Sequence, residues 1–185
     1  MKNIAFATAL ATLSLSYAAT PAAAQAKSGY AGQQHRAIKA LSEHEIAELV
    51  AGRGMGLAKA AELNSYPGPL HVLELAARLE LTTKQHAATE TLMQAMHQQA
   101  RPLGAKIVEA ERELDRAFAE RGIDISELKR RVDAIAALQG ELRVVHLKTH
   151  LDQRALLTAS QVARYDELRG YPSGAPPHGG NRHSH

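Results

Sequence analysis

Apolar positions in this chain recur at helical spacing. From Thr82 to about Arg121 one stripe persists: Leu92, Met96, Leu103, Ile107, Leu114 and Phe118, with Ala100, Ala110 and Ala117 between them. Positions three and four apart share one face of a helix, so the pattern reads as one amphipathic helix ~60 Å long. Pro102 removes a backbone donor inside it and Gly104 stands close by, which predicts a kink near residues 98–102 rather than a break. Gly122 is expected to cap its end. A second long helix follows, with Asp124 as N-cap, Glu127 at N3 and Ile123 stapled to Leu128, running to about Arg154. Its first half carries one stripe, Leu128, Val132, Ile135, Leu138 and Leu142. Further on, Val144, Val145, Leu147 and Leu151 spread around the circumference, and a helix apolar on two sides is normally buried on two sides. A subunit interface is expected to cover the second side. Period-2 alternation persists nowhere, so the predicted class is all-α: a long kinked antiparallel helical hairpin with short flanking helices.

Polar punctuation sets the flanking elements. Ser42 and Glu45 form a capping box between Leu41 and Ile46, so a helix is expected from Ser42, interrupted at Gly52-Arg53-Gly54-Met55-Gly56. A helical pattern resumes over 57–63. Asn64 to Pro69 reads as a turn, with Pro69 the first residue of a short apolar helix through Leu79. Two further boxes share one design: Leu81-Thr82-Thr83-Lys84-Gln85 and Leu157-Thr158-Ala159-Ser160-Gln161. In each, the Thr hydroxyl accepts from the N–H three residues on, and the Gln reaches back to the Thr N–H. The second adds a staple between Leu157 and Val162. One box opens the long hairpin and the other follows its returning helix, so both fall toward its open end. Their expected role is structural, at Leu81, Thr82, Gln85, Leu157, Thr158 and Gln161.

Composition narrows the setting. Residues 1–26 read as a signal peptide: Lys2, an apolar run from Ile4 to Ala19, and small residues allowing cleavage after Ala24 or Ala26. Residues 27–41 read as a flexible arm, 42–171 as the helical domain, and 172–185 as a disordered tail rich in Pro, Gly and His. Of the 22 Lys and Arg, the signal peptide holds one, leaving 21 against 19 acidic residues. With charges of both signs interspersed, nucleic-acid binding is not expected. The chain has no cysteine, which removes disulfides and thiolate metal sites together.

An exported, Cys-free helical chain with two L-T-x-x-Q motifs resembles the Spy/CpxP family of periplasmic proteins. That family includes ATP-independent chaperones, and ZraP-like and CnrX-like relatives that bind or sense metal. The resemblance covers roughly Ser42 to Tyr171. It implies a bent helical hairpin paired with a second copy into a curved antiparallel dimer, whose concave face cradles unfolded clients. The Gly52 to Gly56 segment, the Tyr66-Pro67-Gly68-Pro69 turn and the near-balanced charge differ from Spy.

Ten histidines are many for 185 residues. His146 and His150 lie four apart, so both rings can face one metal. A hairpin turning near residue 122 sets position 97 level with about 148, bringing His97, and Met93 or Met96, into the same neighbourhood. Such donors suit Zn, Ni, Co or Cu better than Ca or Mg. The competing reading makes His97 and His146 packing residues. His44 with Glu48, and His35, are further candidates. His178, His183 and His185 form a chelating tail, and His71 is expected to pack or satisfy a neighbouring polar group. Gly52-x-Gly54-x-Gly56 misses the dinucleotide fingerprint and follows a helix, and the chain shows no G-x-S-x-G or Ser/His/Asp array. The expected protein is therefore not an enzyme and requires no cofactor. It is a periplasmic stress protein acting as an ATP-independent chaperone, a heavy-metal-responsive binder, or both. The alternatives are a metal sensor signalling through a membrane partner and a structural helical adaptor. The expected partners are a second copy and either unfolded periplasmic proteins or a membrane signalling protein.

Overall fold

The computed structural model describes residues 28–171. The segments read as a signal peptide (1–26) and as a tail (172–185), and the first residue of the expected arm, lie outside the described residues. The chain divides into two units, 1–32 and 33–185. The described part of the first is a turn in which the Ala31 N–H donates to the Ser28 carbonyl. The described residues of the second unit hold a 3-10 turn at Gln33–His35 and six helices: α1 (Glu43–Ala51), α2 (Lys59–Glu62), α3 (Pro69–Glu74), α4 (Thr83–Ala119), α5 (Ile125–Leu156) and α6 (Ala159–Arg169). The fold is all-α, organised on the α4/α5 hairpin, and α4 runs through Pro102 without a break. No helix of the described residues is long and apolar enough to cross a membrane.

Helix starts follow the capping chemistry. Ser42, Thr82 and Thr158 each complete a two-way capping box. Asp124 accepts from the Glu127 N–H at 2.8 Å. Glu127, however, spends its carboxylate on Arg130 and Arg131 rather than on the cap backbone. Arg131 also reaches Glu113 at 2.9 Å, tying the two arms together near the tip. The tip itself departs from expectation. Glu120 is the C-cap of α4, and Arg121, not Gly122, takes the left-handed backbone at φ 56°.

The core sits where α1 lies across the hairpin. Ile38, Leu49, Ala100, Ile107, Val108 and Leu142 bury together. Gly104 permits this crossing, because a Cβ there would stand 1.9 Å from the Leu49 carbonyl oxygen. Gly52 ends α1 at φ 70° and packs against Ala100 and Arg101. Ile38, within the segment read as a flexible arm, is 1% exposed. Residues 33–41 are thus anchored by an apolar plug that too few neighbouring apolar positions announced. A second cluster, Val72, Leu79, Leu157, Val162 and Tyr165, closes the open end of the hairpin. The flanking helices are shorter than their patterns suggested. α2 is a single turn, and α3 stops at Glu74, giving way to turns that end at Glu80 with φ 51°.

Candidate functional site

The two L-T-x-x-Q boxes meet. The Gln85 side-chain amide donates to Gln161 Oε1 at 2.8 Å, and that of Gln161 donates to Gln85 Oε1 at 3.1 Å. Each amide also reaches a carbonyl that a helix or turn end leaves unpaired: Gln85 to Leu156 at 2.9 Å, Gln161 to Leu79 at 3.2 Å. The Oε1 atoms meanwhile accept from the N–H of Thr82 and Thr158. Each glutamine therefore caps its own helix with oxygen and binds the other box with nitrogen. Leu157 and Val162, the expected staple, are buried in the cluster beneath, with Leu81 packed against it.

Farther along α5, the buried face is Ile135, Leu142, His146, Thr149 and Gln153. These positions share one helical face, but three are polar, so an apolar pattern search passes over them. Gln153, fully buried, donates to Thr89 Oγ1 at 3.2 Å across the seam with α4.

His146 and His150 lie along a cleft of about 400 Å³ that Gly54, Gly68, Met96 and Glu62 also line. His146 is 4% exposed, and its Nε2 is buried with no hydrogen-bond partner in the protein. Burial first, then the neighbouring charges of His150 and His97, holds its pKa below the ordinary value. Its Nδ1 edge lies nearest Gly54. His150 Nδ1 is 2.7 Å from the Tyr66 carbonyl oxygen, to which it donates, and 3.8 Å from Glu62 Oε2, while its Nε2 edge lies beside Gly68. His97 is half-buried, with a buried Nδ1 lacking a protein partner; burial, then Arg101 and Arg53, lowers its pKa. His97 does not line the cleft, whereas Met96 does.

The other candidates stand apart. His44 is exposed on α1, while Glu48, its expected companion, pairs with Arg53 at 3.5 Å. His35 is exposed, and His71 pairs with Glu74 at 2.8 Å. His178, His183 and His185 lie outside the described residues. Among the described residues, no three side chains of His, Asp or Glu gather as a metal-holding set.

Sequence reasoning passed over Glu62. Its carboxylate accepts from Tyr165 at 2.5 Å, Tyr171 at 3.3 Å and the Gly68 N–H at 3.2 Å, with Arg169 at 3.5 Å. Burial, then the bond to Glu62, pushes the Tyr165 phenol far above its ordinary pKa. This node ties α2 and α6 together and forms the polar floor of the cleft. A single acidic residue in a one-turn helix offers no sequence sign of it.

Residues 70–169, more than half of the chain, match a family model described as LTXXQ motif family protein. No curated protein and no solved structure matches the chain.

Proposed function

The chain belongs to the LTXXQ motif family, the Spy/CpxP-type family, and on that premise we propose that it is a periplasmic stress protein holding partly unfolded polypeptides without a nucleotide. The observation that carries this reading is a second, unpartnered apolar stripe on α5. Val144 and Leu151 are 63% and 55% exposed, with half-buried Leu147 between them on the same face. Beside it, Gln98, Pro102, Leu103, Val144 and Val145 line a groove of about 610 Å³ between α4 and α5. An apolar strip rimmed by polar side chains suits short apolar segments of a client, held by area rather than by sequence. The test is light scattering of an aggregating client with the mature protein at equimolar amount. Suppression supports the reading, and unchanged aggregation overturns it.

A second reading is metal binding. It rests on His146 and His150 sharing one cleft, with the His150 ring oriented by a backbone carbonyl as metal-binding histidines commonly are. Calorimetric titration of metal into wild type and His150→Gln tests it, and heats identical in the two would remove it.

A further inference from the structure

We propose that the cleft beside the Gly52 to Gly56 segment binds a small organic acid, one carboxylate on an apolar body, and does so without a metal. The carboxylate is held by His150, His146 and Lys59, and the body lies along Met55, Leu63, Leu70 and Met96, all of which line the cleft. A volume of about 400 Å³ suits a small organic molecule. Charge selects an anion. Glu62 on the floor is matched by Arg169 at 3.5 Å and accepts from Tyr165, Tyr171 and the Gly68 N–H. Lys59 has no carboxylate partner among the described residues, so the wall carries a cation without a counter-charge.

The two imidazoles supply the remaining polar contacts. His146 is 4% exposed, its Nε2 is buried without a protein partner, and its Nδ1 edge lies beside Gly54 on the cleft wall. Burial favours the neutral ring, and a buried orphan acceptor is tolerated better than an orphan donor. The proton therefore sits on Nδ1, which makes this edge a neutral donor. His150 Nδ1 donates to the Tyr66 carbonyl at 2.7 Å and stands 3.8 Å from Glu62 Oε2, which leaves Nε2 for a ligand. A carboxylate set against Nε2 needs a proton between them. The ring takes it from solvent on binding, and the Tyr66 carbonyl and Glu62 on its other nitrogen share the charge. The other titratable groups on the walls are Lys59 of α2, His71 of α3, His146 and Tyr171. Glycine keeps both rings uncovered: a Cβ at position 68 would stand 3.0 Å from His150 Nε2, and one at position 54 would stand 3.4 Å from His146 Nδ1. Met55, Leu63 and Leu70 are exposed although apolar. A second charge on the ligand would meet only such side chains, which restricts it to one carboxylate.

Octanoate is the probe. The mature full-length protein, with a chelator present so that no metal takes part, is titrated calorimetrically with octanoate and with octanol in two buffers of different ionisation heat. One octanoate should bind per chain with uptake of a proton, and octanol should bind at least roughly tenfold more weakly. His150→Gln and Lys59→Gln should each weaken octanoate by roughly tenfold. Lys59 is exposed, so its replacement leaves folding intact. Val144→Asn/Leu151→Asn, on the exposed stripe of α5, should leave octanoate binding unchanged. Absence of octanoate binding, equal binding of octanol, no proton uptake, or full binding by Lys59→Gln with the same far-UV circular dichroism overturns the proposal. Loss of binding in Val144→Asn/Leu151→Asn places the acid on the α5 stripe and overturns it too. Tighter binding of an acetylated tripeptide acid ending in leucine would assign the cleft to polypeptide C-termini and overturn the choice of a small acid.

Discussion

Replacing Gln85 by glutamate isolates what joins the two boxes. A capping box works with Glu or Gln at N3, since only an oxygen is needed to accept from the cap N–H. Gln85→Glu therefore keeps the cap on α4 and the side-chain shape. What it removes is the amide nitrogen that donates to the Leu156 carbonyl at 2.9 Å and to Gln161 Oε1 at 2.8 Å. Two neutral hydrogen bonds are worth about 1 kcal/mol each. A carboxylate oxygen facing two acceptors adds a penalty of about 1–2 kcal/mol. The expected loss is about 3–4 kcal/mol at pH 7, or a fall in Tm of roughly 6–16 °C for a unit of this size. The sign with pH is fixed. Only the protonated acid has a donor, so the folded-state pKa of the introduced carboxyl is raised above its ordinary ~4.3. The penalty is therefore full above that raised value and shrinks as pH falls through it. Urea unfolding of variant and wild type between pH 7 and pH 4 measures the difference. A variant within about 0.5 kcal/mol of wild type at pH 7, or a gap that does not narrow in acid, would refute the amide-to-amide contact.

The two helical glycines should respond oppositely to alanine. Gly104→Ala forces a Cβ against the Leu49 carbonyl and should cost about 1–3 kcal/mol despite better helix propensity, whereas Gly140→Ala, with nothing within 4 Å, should gain about 1 kcal/mol; chemical denaturation reads both. Burial lowers the folded pKa of His97 and of His146, so their contribution is complete above the ordinary 6.5 and declines as pH falls from 6.5 toward the depressed values. His97→Gln should therefore flatten the stability slope between pH 7 and pH 5, and an unchanged slope would contradict the buried neutral ring. Tyr165→Phe removes the 2.5 Å bond to Glu62 and should cost about 1–3 kcal/mol, measured by thermal unfolding.

Sequence resolved what is local. The caps at Ser42, Thr82, Asp124 and Thr158 each need only four consecutive residues, so their chemistry was readable before any fold was known. The matched register of the hairpin also followed, because two long helices joined by a short turn must lie antiparallel. Tertiary close approach was not readable. Gly104 looked like a partner of Pro102 in a kink, yet it is the point where the α1 backbone touches α4. The buried face of α5 passes from Leu142 through His146 and Thr149 to Gln153, and polar residues hide a core face from any apolar pattern. The Gln85–Gln161 pair joins positions 76 apart, and within each box the glutamine looks fully used as a cap. Of the histidines, spacing found the pair that shares a cleft, and hairpin register brought His97 near. The cleft's Glu62 floor stayed out of view because α2 is too short to carry a period.

The central claim, that the exposed stripe of α5 holds unfolded chains, is tested most directly by one comparison. Light scattering of a chemically unfolded, aggregating client is followed with equimolar wild type and with Val144→Asn/Leu151→Asn, whose changed side chains are largely exposed. Wild type should suppress the scattering, and the doubly substituted chain, with the same helical content, should lose most of that effect. Equal suppression by both proteins, or none by wild type, would contradict the account.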